Sequence, residues 1–202
     1  MTPIQSIFLI SAFVLSKASN EPISVAVFEE PELLISTPGN PINTPGIGLG
    51  PGLIDDLTRP DGTDIKLPSP SYLFAIAVRD KLISDYNLNI SEVPNTLLPM
   101  GKGKRASQSK ANTLEIFTDI NILGYRPTQW ATYQYSFYGR ARLIDQDGKE
   151  LWEKKCKVSP YTNDPTRQLD RTEFKNDDGA KLVAIMSDTI NRCASSLMQQ
   201  LK

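Results

Sequence analysis

Few residues in this chain can do chemistry, because its 202 residues include no histidine and only two cysteines. Histidine is the commonest general base near neutral pH, the usual partner of a serine or cysteine nucleophile, and a frequent metal ligand. Two thiolates cannot complete a four-ligand zinc site by themselves. We therefore predict a protein that is not an enzyme and that binds no cofactor or metal. A hydrolase or transferase that relies on carboxylates and tyrosines is the alternative.

Three short patterns look like ligand sites, but each fits a plainer structure. Asp145 and Asp147 suggest acid–base chemistry or calcium binding, yet beside Gly148 they are typical of a hairpin turn. The glycines of residues 46–52 alternate as in a phosphate-binding loop, but a proline interrupts them and no Gly-Lys-Ser/Thr ending follows. The basic residues 101–105 lack interleaved aromatic side chains. We interpret all three as turns or surface loops.

The composition indicates one globular domain with no electrostatic preference for polyanions. The hydrophobic fraction is 40% and the charged fraction is 22%, and the net charge is −1. Such a charge provides no field that would attract nucleic acid or an anionic membrane surface. We predict no nucleic-acid partner and at most peripheral contact with a membrane.

The amino terminus has the pattern of an export signal. Residues 7–15 form an uncharged apolar run, which is shorter than the roughly 20 residues of a membrane-spanning helix. Ser16 and Ala18 supply small side chains at the −3 and −1 positions of a cleavage site. This pattern predicts a signal peptide over residues 1–18 and a single domain over residues 19–202, in the periplasm or at the periphery of the outer membrane. The alternative is that the run forms a buried first strand or helix of the domain.

The middle of the chain predicts a strand, a long loop and a helix. Residues 23–28 are apolar and β-branched, as in a buried strand. Residues 31–68 are rich in glycine and proline and predict a loop. Ser69 and Pro70 then have the residue types of a helix N-cap and first position, and the helix is expected to end near Tyr86. Its predicted apolar face consists of Leu73, Ile76, Ala77, Ile83 and Tyr86.

Three strands and a helix are predicted for the second half. Residues 114–122 and 131–143 alternate between apolar and polar side chains, and an Asp-Gly turn leads to a returning strand that carries Trp152 and Cys156. Residues 179–201 have an apolar stripe at helical spacing. The expected fold is α+β (an α/β sandwich), with two helices on one face of a mostly antiparallel sheet in the order β-α-β-β-β-α.

Two pairs of residues are candidate sites. Trp130 and Tyr138 fall on the polar face of the long strand, where aromatic side chains would anchor a partner protein. Ordinary packing is the alternative for both. Cys156 and Cys193 fall on the apolar sides of a predicted strand and a predicted helix that must pack together, so we predict a disulfide. The alternative is two buried, unpaired thiols.

The segment from Tyr133 to Asp145 (YQYSFYGRARLID), followed by Gly148-Lys149-Glu150-Leu151-Trp152, resembles small bacterial envelope lipoproteins. Their soluble domain is similar to the TolB amino-terminal domain, to the curli secretion lipoprotein CsgG and to penicillin-binding-protein activators. In those families a long strand ends in Arg-Leu-x-Asp, a glycine turn leads to a Leu-Trp strand, and a long helix closes the domain. The resemblance implies a cell-envelope accessory protein that binds other proteins, or a subunit of a secretion or transport assembly. We therefore predict a protein-binding or assembly module of a periplasmic or outer-membrane complex, which uses an exposed sheet face or an edge strand.

Overall fold

The computed structural model describes residues 22–35, 66–100, 111–126, 129–158, 166, 168–170, 173 and 179–201. The predicted signal peptide and the patterns at 46–52 and 101–105 lie outside these residues. Within them the strands are β1 (Ile23–Val27), β2 (Leu34–Ile35), β3 (Asn112–Arg126), β4 (Gln129–Ile144), β5 (Glu150–Val158) and β6 (Gln168–Asp170), and the helices are α1 (Pro70–Tyr86) and α2 (Ala180–Gln199).

The predicted class and element order are confirmed, with β2 and β6 as short additions. The sheet order is β1-β3-β4-β5, with β1 parallel to β3 and the other pairs antiparallel. The short strand β2, which lies inside the predicted loop of residues 31–68, pairs with β3. The short strand β6 pairs with β4. Both helices pack on the same face of the sheet and against each other. No helix in the described part of the chain is long and apolar enough to cross a membrane.

Local capping and turn chemistry set the boundaries of α1 and of the β4–β5 hairpin. Ser69 accepts a hydrogen bond from the backbone N–H of Tyr72 at 3.1 Å, and Asn87 ends the helix in the left-handed region at φ 53°. In the hairpin, an Asp145 carboxylate oxygen accepts from the backbone N–H groups of Asp147 and Lys149. Asp145 and Asp147 therefore act as turn residues, as the sequence indicates.

The predicted buried face of α1 is only partly correct. Of the five predicted residues, Ala77 is buried, whereas the other four are half-buried. The helix packs against both the sheet and α2, so its deepest side chains lie on the side that meets the strands. The residues of that side are Phe74, Ala75, Val78 and Leu82.

The prediction for the second half of β3 is wrong because a bulge reverses its faces. The alternation predicted Ile120 and Ile122 on the apolar face, with Asn121 opposite. A register shift between Thr118 and Ile120 inserts one residue, which exchanges the two faces beyond it. Asn121 now pairs with Phe137 and lies on the helix side with 3% exposure, while the two isoleucines are half-buried on the other side.

The helix-side core is closely packed where the Phe74 side chain of α1 reaches β4. A Cβ atom at Gly139 would lie 2.5 Å from a ring carbon of Phe74, so only glycine fits without displacing that ring. The ring of Phe74 meets that of Phe137 edge to face at 5.1 Å between centroids. This contact fixes the height of α1 above the sheet.

Candidate partner-binding surface

Tyr138 lies on the face of β4 opposite the helices, as its position in the alternation predicts. It pairs with Ile120 of β3 on one side and with Lys157 of β5 on the other. Its side chain is half-buried, and the Lys157 ammonium lies 4.8 Å from the ring centroid. At an exposed site such a cation–π contact is worth about 0.5–1 kcal/mol, so it favours this position of the ring.

Charged side chains surround Tyr138 and form what we call the β4–β5 patch: Tyr138, Arg140, Glu153, Lys155 and Lys157. A terminal guanidinium nitrogen of Arg140 lies 3.4 Å from one carboxylate oxygen of Glu153, and the Lys155 ammonium nitrogen lies 3.3 Å from the other oxygen. The Lys155 side chain is 69% exposed, whereas those of Arg140 and Glu153 are about a quarter exposed or less. The patch therefore combines a fixed aromatic ring with charges of both signs at the protein surface.

The arginines of β4 are positioned by a polar cluster beside the patch. Arg142 donates through Nε at 2.7 Å to Glu115, whose side chain is fully buried, and also through its terminal nitrogen. The Phe117 ring lies 4.3 Å from the Arg140 guanidinium and 5.3 Å from that of Arg142, and stacks on Phe28 at 4.4 Å. These contacts limit the motion of both guanidinium groups.

Sequence reasoning missed this cluster. It treated the polar positions of β3 and β4 as solvent-exposed, whereas Glu115 is buried. The signal that was present is an aromatic residue, Phe117, on the polar side of the alternation, together with opposite charges on the two strands. A cross-strand pair can be recognised only when the register is known, and here Glu115 lies opposite Arg142.

Trp130, the second predicted partner-binding residue, is not brought to the patch by any described contact. Its backbone belongs to β4, but its side chain lies outside the described residues. Its role in binding stays a prediction.

The two long edges of the sheet are less suited than its face to partner binding. Along β1, two backbone contacts already occupy part of the edge: Ser91 N–H donates to the Ile23 carbonyl at 2.9 Å, and Leu98 N–H donates to the Val27 carbonyl at 2.8 Å. Along β5, the exposed lysines and the inward Lys154, opposite Ala141, are features that discourage the addition of another strand.

The predicted disulfide between Cys156 and Cys193 is present in the structure. It joins β5 to α2 across the helix-side core, with the two Cα atoms 5.3 Å apart. Both cysteines are buried, at 5% and 0% exposure. Because the disulfide is buried between β5 on one side and α2 on the other, it is part of the apolar core.

Tyr135 and Glu30 are a tyrosine and a carboxylate of the kind on which the alternative of an enzyme depends. Burial raises the pKa of the Tyr135 phenol, and the charge of Glu30 raises it further, so this hydroxyl stays protonated at neutral pH. The Ser69 hydroxyl donates to Glu30 at 2.8 Å while it caps α1, which gives both groups a structural role. No group of three or more metal-binding side chains occurs among the residues that the structure describes.

No protein-family model and no curated protein matches this chain. Among solved structures, an uncharacterized protein is similar over 92% of this chain and 94% of its own, at 10% identity and a TM-score of 0.44. A DUF330 protein from Xanthomonas campestris is similar over 88% and 92%, at 14% identity and a TM-score of 0.38. A lipoprotein from Neisseria meningitidis is similar over 87% and 99%, at 14% identity and a TM-score of 0.34.

These similar structures include a bacterial lipoprotein, the broad class that the sequence resembles. The narrower likeness to the TolB, CsgG and penicillin-binding-protein-activator domains stays a prediction. At identities of 10–14% and TM-scores of 0.44 or less, these similarities carry no information about function.

Proposed function

We propose that this chain is an exported, non-enzymatic accessory protein of the bacterial cell envelope that binds another envelope protein through the β4–β5 patch. The observation that carries the proposal is the buried bridge between Cys156 and Cys193. Disulfides form and persist in oxidising compartments and are rare in the reducing cytoplasm. The uncharged run at residues 7–15 offers the route of export that such a bridge requires.

Three features of the β4–β5 patch support protein binding. Tyrosine and arginine are the residue types that contribute most often to binding hot spots, and Tyr138 and Arg140 are neighbours on one face. The Arg140 side chain is 24% exposed and its ion pairs with Asp119 and Glu153 are long, at 3.4 Å each, so its guanidinium can also donate to a partner's carbonyl or carboxylate. The mixed charges around these two residues fit a polar rim.

Export and the bridge are tested together by expressing the full chain in a Gram-negative host. We expect protein recovered from the periplasm to begin at Ser19 and to show no free thiol after denaturation without reductant. The Cys156→Ser variant serves as the control, because its single remaining thiol must be titrated. Cytoplasmic protein that retains Met1 and carries two free thiols would contradict the proposal.

A further inference from the structure

A cavity of about 370 Å³ opens beside the amino terminus of α1, away from the β4–β5 patch. Four parts of the chain converge on it: the segment between β1 and β2, the entry to α1, the middle of β3, and α2. Its volume is within the range of small-molecule sites, about 300–1,000 Å³. The polar groups in its wall are therefore a guide to what it binds.

The polar residues of the described lining are two glutamates, Ser69 and Asn121. Glu30 and Glu32 carry carboxylates, which accept hydrogen bonds, and Asn121 carries a side-chain amide with one acceptor oxygen. Asn121 is 3% exposed, and its Oδ1 atom has no hydrogen-bond partner in the described part of the chain. A buried acceptor without a donor costs free energy, which a ligand donor would recover.

The charge of the wall favours a cation. Its described lining includes two glutamates and neither lysine nor arginine. The negative field of Glu30 reaches the core behind the cavity, where it raises the pKa of the Tyr135 phenol beyond the effect of burial. Although the Glu30 carboxylate accepts from Ser69 at 2.8 Å, its remaining lone pairs can accept from a ligand.

The rest of the wall is apolar and would contact an uncharged stem. Leu33 and Leu67 lie on one part of the lining, and Met186 of α2 closes another. A ligand that matches this wall has a charged donor group at one end and a hydrocarbon chain behind it. An alkylammonium group has both, since its three N–H donors are carried on a flexible aliphatic chain.

We propose that this cavity is a binding site for an alkylammonium group, with Glu30 and Asn121 as the acceptors and the leucine and methionine side chains around the stem. The same chemistry occurs in a free diamine and in the lysine side chain of a peptide. The site is independent of the β4–β5 patch, because none of the patch residues lines the cavity.

The experiment is an amide NMR titration of the oxidised, full-length protein with cadaverine and, separately, with Nα-acetyl-lysine amide. We expect saturable shifts at the amides of Glu32, Leu33 and Asn121. A stronger response to cadaverine assigns the site to free amines, and a stronger response to the lysine derivative assigns it to protein side chains. 1-Pentanol, which has the stem without the charge, should produce no comparable shifts.

Two matched variants separate the site from nonspecific attraction to a cation. Glu30→Gln should weaken cadaverine binding about tenfold or more, because it removes a charged acceptor but keeps the side-chain size. Glu92→Gln removes an exposed carboxylate that does not line the cavity, and it should leave the dissociation constant unchanged. Equal binding of 1-pentanol, an unchanged dissociation constant in Glu30→Gln, or no saturable shift with either amine would overturn the proposal.

Discussion

The two faces of β4 differ in how deeply they are buried and in the interactions that stabilise them. Toward the helices, Tyr135, Phe137 and Leu143 are at most 1% exposed and belong to one apolar core. On the opposite face, Gln134 and Ser136 are buried as well, yet they are polar. Hydrophobic burial, which is non-directional, stabilises the first face. The second face depends on specific hydrogen-bond and ion-pair partners for its polar side chains.

This difference indicates separate roles for the two faces. An apolar core holds the helices to the sheet whatever the details of its contacts, within the limits of volume and shape. A buried charge on the polar face needs a partner, as Glu115 has in Arg142. We infer that the helix side determines the fold, while the opposite side fixes side chains for recognition.

The largest expected difference in stability is between variants of two adjacent residues on opposite faces of β4. Phe137→Ala should lower the free energy of unfolding by about 3–5 kcal/mol, because it opens a cavity in the core. Tyr138→Ala should cost about 1 kcal/mol, since the ring is half-buried and contacts one lysine. Urea denaturation of the two variants measures both values, and equal losses would break the comparison.

Removal of the disulfide should have the next largest effect, again on the helix side. The double variant Cys156→Ala, Cys193→Ala should lower the free energy of unfolding by roughly 3–4 kcal/mol in the chain-entropy model. Chemical reduction of the unsubstituted protein provides the control and should cost a similar amount. If neither treatment changes the urea midpoint, the bridge does not contribute to stability.

Much of this architecture follows from local residue patterns. The cap at Ser69, the turn at Asp145–Gly148 and the alternation of residues 131–143 each act within a few residues, so the sequence shows them directly. The position of Tyr138 on the polar face follows from the same alternation. The disulfide between Cys156 and Cys193 was predictable because both residues lie on apolar sides of a strand and a helix that must pack together.

The remaining features depend on tertiary pairing and could not be predicted from local patterns. The bulge before Ile120 is defined by the register of β3 against β4, and one inserted residue exchanges the faces beyond it. The contact of Glu115 with Arg142 likewise requires that register. The cavity at Glu30 and Asn121 joins elements that are distant in the sequence.

The two arginines on the outer face should differ in their contribution to stability. Arg142→Met should cost roughly 3 kcal/mol, because it leaves the buried Glu115 carboxylate without this cation. Arg140→Met should cost about 1 kcal/mol at most, since its ion pairs with Asp119 and Glu153 are longer and more exposed. Urea denaturation of both variants at one ionic strength measures the two losses of unfolding free energy. A larger loss for Arg140→Met than for Arg142→Met would contradict the prediction.

The smallest expected effect concerns an exposed carboxylate, Glu173. A side-chain hydrogen bond from Lys181 and a backbone one from Asp170 lower the pKa of Glu173. A carboxyl whose pKa is lowered on folding contributes stability above its unfolded pKa and loses it as the pH falls. Glu173→Gln should therefore destabilise the protein slightly at neutral pH, and the difference should vanish in acid. Urea midpoints across this pH range test the sign, and a difference that grows in acid would contradict it.

The most direct test of the proposed recognition face is site-specific photo-cross-linking in intact cells of the source organism. A benzophenone amino acid replaces either Tyr138 on the β4–β5 patch or Asp188, which is exposed on α2 on the other side of the sheet. We expect a discrete adduct with an envelope protein from position 138, which is lost when Arg140→Met is added, and no adduct from position 188. Equal adducts from both positions, or an adduct from position 188 alone, would contradict it.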